Sequence, residues 1–345
     1  MGTVIVLITL LVGLLSGLTA GLGQQNISAI TGLPADMIAF AAPGEGEKPS
    51  FANSTVTEKQ WQQWATNPGV NRAQPLGITT TKATAGTRST AVSAFGVQPG
   101  STLAPATDQI GGHAAVLSVT AAENLGVARG DTFTLAGQQV NVAAVSGDAS
   151  YSHTPVIWTS LDLWQKLVPA TDANDSPTAT VIALNTTSGA DVQAADAAAG
   201  TRTVSRADSL SGIGSYTSEN GSLQLMRGFL FAISALVIGA FFTVWTIQRS
   251  GDVAVLKALG ASTTNLLKDA LGQAVVLLTG GTLLGTALAA GLGALVAGAA
   301  VPFLLTPATI LVPAAVMIAL GALGAALSIR RITSVDPLTA LGSAR

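Results

Sequence analysis

The sequence contains no cysteine. That excludes disulfides, thiolate metal centres, iron–sulfur ligation and c-type haem attachment within this chain. Charge is scarce too: Asp, Glu, Lys and Arg make up 10% of the 345 residues, against roughly a quarter in an ordinary soluble domain. The net charge is −2, so no basic field exists to hold nucleic acid. The two histidines, His113 and His153, stand far apart. No H-x-x-x-H or H-E-x-x-H spacing occurs, which leaves a catalytic metal motif unsupported. No G-x-x-x-x-G-K-[ST] occurs either, so nothing in the chain is built to cradle nucleotide phosphates.

What the sequence does have is apolar length. Hydrophobic residues make up 48% of it and mean hydropathy is +0.52. Four segments satisfy the requirement for a spanning helix, about 20 apolar residues with almost no charge. They fall within 1–23, 222–248, 270–300 and 310–329. The 24–221 segment is rich in Thr, Ser, Ala, Gly and Asp. Strand-like runs punctuated by turns occur at 131–147 and 154–164, and capped helices are expected at 57–67 and 118–127. The expected fold class is a membrane protein. Four transmembrane α-helices carry a large α+β extracytoplasmic domain inserted between helices 1 and 2. Trp61, Trp64, Trp158 and Trp164 are expected in that domain's core.

Orientation follows from basic residues in short loops. Arg249, Lys257 and Lys268 lie in the 249–269 loop, Arg330 and Arg331 open the 330–345 tail, and the 301–309 loop has no charge. The expectation is a multi-pass protein of the cytoplasmic membrane, with 249–269 and the C-terminus cytoplasmic and the large domain outside. Nothing basic precedes the first span. A cleaved signal peptide is the rival reading, but the positive n-region is missing and the apolar run is long for an h-region. A short basic segment upstream of Met1 is therefore expected.

The stretch RSGDVAVLKALGAS, 249–262, sits between two spans. Read as a helix, it places Val253, Leu256 and Leu259 on one apolar stripe, with Arg249, Asp252 and Lys257 largely off it and Gly260 as its C-cap. Such a helix can lie in the lipid interface or dock into a partner's groove. In the first span Gly13, Gly17 and Gly21 recur every four residues, a face that allows close backbone approach. Gly281 and Gly285 repeat the device in the third span.

The segment R-x-x-D-V-A-V-L-K-A-L-G-A resembles the cytoplasmic coupling segment of FtsX/MacB-type ABC-transporter permeases. The tail RRITSVDPLTALGSAR, 330–345, is similar to that family's ending. The order of one span, a large outer domain and three further spans agrees over essentially the whole chain. The resemblance implies a permease without ATPase activity of its own. It would work as a homodimer with two ABC ATPase subunits, the helix around Asp252 to Gly260 seated in an ATPase cleft. Arg249, Asp252, Leu256, Lys257 and Gly260 are thus the ATPase-coupling candidates, and Gly13, Gly17 and Gly21 the dimer-packing candidates. The stretches 7–30 and 111–167 are similar to actinobacterial permeases grouped with haem exporters, which implies haem as substrate and no resident cofactor.

A haem exporter needs iron ligands and a cation for the propionates. YTSENGSLQLMRGFLF, 216–231, read as helix, sets Glu219 and Met226 on one stripe, with Tyr216 one turn before and Arg227 beside it. Glu219, Met226, Arg227, Tyr216 and Gln25 are the substrate candidates, Glu219 and Met226 the iron ligands. Gln24 and Asn26 lie beside Gln25 at the outer end of the first span. Each has an ordinary alternative: Arg227 snorkelling, Met226 in a core, Glu219 near a helix start, Gln24 to Asn26 capping the span, Tyr216 anchoring at the interface. His113 and His153 are expected to be structural or exposed. A cargo-free regulator of a cell-wall hydrolase and a macrolide or peptide exporter remain open as alternatives.

Overall fold

The computed structural model describes residues 2–168, 177–249, 251, 255–256, 259–296 and 301–333. The chain divides into two compact units, Gly23–Asn220 and Met1–Leu22 with Gly221–Arg345.

The first unit is a mixed α/β domain, as expected. Its main sheet runs through β1 (Met37–Ala41), β3 (Val70–Ala85), β4 (Arg88–Val97), β5 (Ala114–Leu117), β6 (Thr132–Leu135), β7 (Gln138–Val145), β9 (Thr154–Ser160), β11 (Val181–Thr186) and β12 (Thr201–Ser205). The order is β12-β1-β11-β3-β4-β9-β5-β7-β6. β4 with β9 and β5 with β7 are parallel pairs. β6 also pairs with the far end of β3, Ala83 opposite Leu135, so the strands from β3 to β6 close on themselves and hide an edge. Two short strands, β2 (Val56–Thr57) and β10 (Thr178–Ala179), pair separately. β8 (Ser150–Tyr151) forms a hairpin with β9.

Helices α2 (Glu58–Ala65), α3 (Val119–Leu125), α4 (Leu161–Leu167) and α5 (Val192–Ala199) supply the first apolar core, around Trp61, Trp64, Leu125 and Trp164. A short turn of helix, α6 (Arg206–Ser209), follows β12. The second core holds Phe40, Phe95, Tyr151 and Trp158, and takes Ala29 and Ile30 from the outer end of α1 (Gly2–Thr31). All four tryptophans expected inside are buried. The 154–164 run is a strand only as far as Ser160. There the Ser160 Oγ accepts the Leu163 N–H and starts α4. The apolar pattern continues across this boundary, because both elements face the interior.

The second unit contains the inner part of α1, α7 (Gly214–Gln248) beyond residue 220, α8 (Thr263–Val296) and α9 (Pro307–Thr333). Among the described residues, four helices are long and apolar enough to cross a membrane. Ile5, Val12, Ile238, Phe242, Ala274, Leu278 and Met317 form its packed centre. Leu225, Phe229, Ile233 and Leu236 are exposed along α7, an apolar surface suited to lipid or to another helix. Both α1 and α7 extend beyond their apolar stretches into sequence that is polar but still helical.

Candidate functional site

The outer unit brings Glu219 against a group that sequence spacing had set aside. His153 Nε2 lies 2.8 Å from Glu219 Oε2, with the two side chains 30% and 44% exposed. Asn26 is buried, and its Nδ2 lies 3.4 Å from the same oxygen. Ser215 Oγ is 2.7 Å from Asn26 Oδ1, and Ser152 Oγ is 2.8 Å from Ser215 Oγ.

The donor and acceptor chemistry of the partners sets the directions of these bonds. Asn26 Oδ1 can only accept, so the Ser215 hydroxyl donates to it and in turn accepts from Ser152. The Asn26 amide nitrogen then faces Glu219 and donates. A carboxylate offers no proton, so His153 Nε2–H is the second donor to Oε2. The 3.3 Å approach of Asn26 Nδ2 to His153 Nε2 sets two donors side by side on one acceptor. Among the described residues, no partner holds the other carboxylate oxygen, Oε1.

Local chain geometry delivers His153 to this place. Ser152 and His153 are the two turn residues between β8 and β9, with φ of 49° and 63°. Both central residues of a tight hairpin turn of this hand need positive φ, which normally selects Asn-Gly. A side chain in that region costs about 1–2 kcal/mol. The turn is held by α1: Ser152 N–H donates to the Asn26 carbonyl at 3.0 Å and His153 N–H to the Gln25 carbonyl at 3.2 Å. Gln25 therefore contributes through its backbone. Gln24 is exposed.

The other substrate candidates are placed separately. Tyr216 packs against the second apolar core of the outer unit. Met226 and Arg227 belong to the membrane unit. Met226 is 47% exposed, and Arg227 Nε is buried with no hydrogen-bond partner among the described residues. His113 Nδ1 lies 3.1 Å from the Gln139 carbonyl at the surface. No group of three His, Asp or Glu side chains suited to a metal ion occurs among the described residues. The Tyr151 phenol is pushed well above its usual range by burial.

In the 249–262 stretch, Gly251, Val255 and Leu256 are helical, while Asp252 and Lys257 lie outside the described residues. Gly260 has φ +92°, and Ala261 N–H reaches back to the Leu256 carbonyl at 3.0 Å, so the glycine ends the turn in the left-handed conformation. Val255, Leu256 and Leu259 are 54%, 46% and 79% exposed. Arg249 is engaged within the chain. Its guanidinium sits 4.9 Å from the Trp245 ring centre and donates to Gln273 Oε1, whose own amide donates to Asp269 at 3.0 Å.

The glycine face of α1 is also used within the chain. A Cβ on Gly13 would lie 2.7 Å from Ala289, one on Gly17 2.3 Å from the Phe303 ring, and one on Gly21 2.0 Å from the Pro302 carbonyl oxygen. Gly281 and Gly285 receive Ile5, Val6 and Thr9 of α1 in the same way. The close approach expected from the spacing is present, and its partners are α8 and the 302–303 segment of the same chain, where a second copy was expected.

Four apolar helices with a mixed α/β domain between the first and second define a multi-pass membrane protein with an extracytoplasmic domain. The MacB-like periplasmic core domain profile matches residues 1–202 and the FtsX-like permease C-terminal profile matches 225–337. The chain belongs to the FtsX/MacB-type ABC transporter permease family. It is 28% identical over 215 residues to a Staphylococcus haemolyticus permease, HrtB, named for a hemin transport system; that alignment covers 62% of this chain and 59% of the relative. A Staphylococcus epidermidis protein of the same name is 28% identical over 58% of this chain and 55% of its own. The chain thus spans little more than half the length of these relatives. An uncharacterized ABC transporter permease of Mycobacterium bovis is 25% identical over 95% of this chain and 90% of its own. Among solved structures, the extracellular domain of the ABC-type transporter YknZ from Gram-positive bacteria is 13% identical and covers 50% of this chain and 98% of that one, with a TM-score of 0.36.

Proposed function

We propose that this chain is the membrane subunit of an ABC exporter that takes a hydrophobic molecule, haem, from the outer leaflet and expels it, driven by two copies of a separate ATPase subunit. The observation that carries the reading is Glu219. Its carboxylate is fixed through one oxygen by His153 and Asn26 and leaves the other free for an iron atom. Two relatives named for hemin transport support the choice of cargo. Met226 and Arg227 are the further candidates for iron and propionate.

The exposed Val255, Leu256 and Leu259 are the apolar contact offered to the ATPase, beside Arg249, Asp252, Lys257 and the Gly260 cap. The 249–269 loop and the C-terminus face the cytoplasm in this reading. Two copies form the working permease. Because the glycine face of α1 is filled from within the chain, the exposed stripe of α7 at Leu225, Phe229, Ile233 and Leu236 is the surface for that pairing.

The test is to purify the chain with its co-expressed ATPase, titrate haem and follow the Soret band and the ATPase rate. Glu219→Ala, Met226→Ala and Arg227→Ala are titrated alongside. A saturable Soret shift that weakens in these variants supports haem export. No specific binding by the intact complex removes haem as cargo and leaves peptide or macrolide export, or cargo-free regulation, as the function of the permease.

A further inference from the structure

We infer that His153 is a positioning residue for the Glu219 carboxylate, holding it oriented so that its second oxygen can bind the iron of the cargo. The inference rests on the haem reading above. A glutamate on an exposed helix turn has three side-chain torsions to settle, and a carboxylate is a weak ligand unless it is aimed. Here one oxygen, Oε2, takes two N–H donors, from His153 at 2.8 Å and Asn26 at 3.4 Å. Among the described residues, nothing holds Oε1.

The arrangement is specific. The chain tolerates Ser152 and His153 at φ of 49° and 63°, where glycine would make the same turn at lower cost. Local strain of this kind persists where the surroundings over-determine it. Here the surroundings are the two N–H bonds to α1 carbonyls and the hydroxyl relay from Ser152 through Ser215 to Asn26. A histidine needed only as a turn residue would have no reason to end on a carboxylate 66 residues away.

The experiment is the same haem titration of the permease–ATPase complex with His153→Ala, His153→Gln, Glu219→Ala and the double variant that combines His153→Ala with Glu219→Ala. Thermal unfolding of each is followed without haem. The expected result is a tenfold or greater loss of haem affinity in His153→Ala, with the bound Soret spectrum unchanged in form. His153→Gln, which keeps an N–H donor at similar reach, should recover most of the affinity. In the Glu219→Ala background, removing His153 should change haem affinity no further. Wild-type affinity in His153→Ala overturns the inference while leaving the haem reading standing. So does an equal loss with and without Glu219, which marks a purely structural role. A changed Soret form in His153→Ala also overturns it, because the imidazole would then be the iron ligand itself. If the wild-type complex takes up no haem, both readings fall.

Discussion

Gly21 of α1 lies directly against Pro302: an added Cβ would meet the Pro302 carbonyl oxygen at 2.0 Å. The atom in the way belongs to the backbone and cannot rotate aside. Gly21→Ala is therefore expected to destabilise the membrane unit by about 1–3 kcal/mol, the usual cost of overpacking. The control is Gly272→Ala in α8, where nothing lies within 4 Å and alanine is the better helix former. Detergent-solubilised yield and thermal unfolding read both. Equal behaviour of the two variants would show that the contact does not exist.

Trp164 closes down on two glycines of the sheet. A Cβ on Gly77 would come within 2.3 Å of the indole and one on Gly96 within 2.4 Å of the Trp164 Cβ. Gly77→Ala is expected to lower the outer domain's unfolding temperature, and Trp164→Phe in the same chain to restore part of the loss. Trp164 Nε1 is buried without a partner among the described residues, so Trp164→Phe alone removes an unsatisfied donor. Its cost should fall below the roughly 3–5 kcal/mol typical of complete aromatic truncation. Intrinsic fluorescence during unfolding checks each variant.

Asp196 ties α5 to β12. Its Oδ1 accepts from Thr201 Oγ1 and Thr203 Oγ1, both at 2.7 Å, and Oδ2 accepts from Thr203 N–H at 2.8 Å. The Thr201 hydroxyl receives the buried Trp64 indole N–H at 3.0 Å. Asp196→Ala strands three donors and is expected to cost about 2–3 kcal/mol in denaturant unfolding. Asp196→Asn, which keeps an acceptor, should cost less. Identical losses would mean that volume matters there and the carboxylate does not.

The Tyr151 phenol, buried against Phe51 and Phe95, resists ionisation in the folded protein. Once the domain unfolds, the phenol ionises near its usual pKa of about 10. The folded state then holds more protons than the unfolded one, so stability falls as pH rises above about 10. Tyr151→Phe should lose that component of the alkaline decline. Denaturant unfolding at stepped alkaline pH makes the comparison, and parallel curves for both proteins would refute it.

The spans were legible because a single segment can cross lipid on its own only as a long apolar helix that satisfies its own backbone hydrogen bonds, and the inserted domain because its composition changes abruptly at the first span. Ser160 marks a strand-to-helix boundary that the apolar pattern does not show. Strand and helix both bury their apolar residues, Leu161 and Trp164 among them, so the apolar pattern carries no mark of the change, and only the serine cap gives it away. The four-residue spacing of Gly13, Gly17 and Gly21 implies that something approaches closely, but spacing carries no address, and the partners are Ala289, Phe303 and Pro302 in turn. His153 was hidden for a different reason. It meets Glu219 across separate elements of the fold, and no periodicity links two such residues. The available signal was the sequence Tyr-Ser-His-Thr, a tight turn between strands with neither glycine nor asparagine in it.

That turn carries a consequence for reading other chains of this kind. A relative with glycine at the position of His153 would make the hairpin more easily and would have no imidazole to offer. The two solutions cannot coexist at one residue. The identity of that single turn residue therefore sorts hairpins kept for their bend from hairpins kept for what they reach, before any of those proteins is purified.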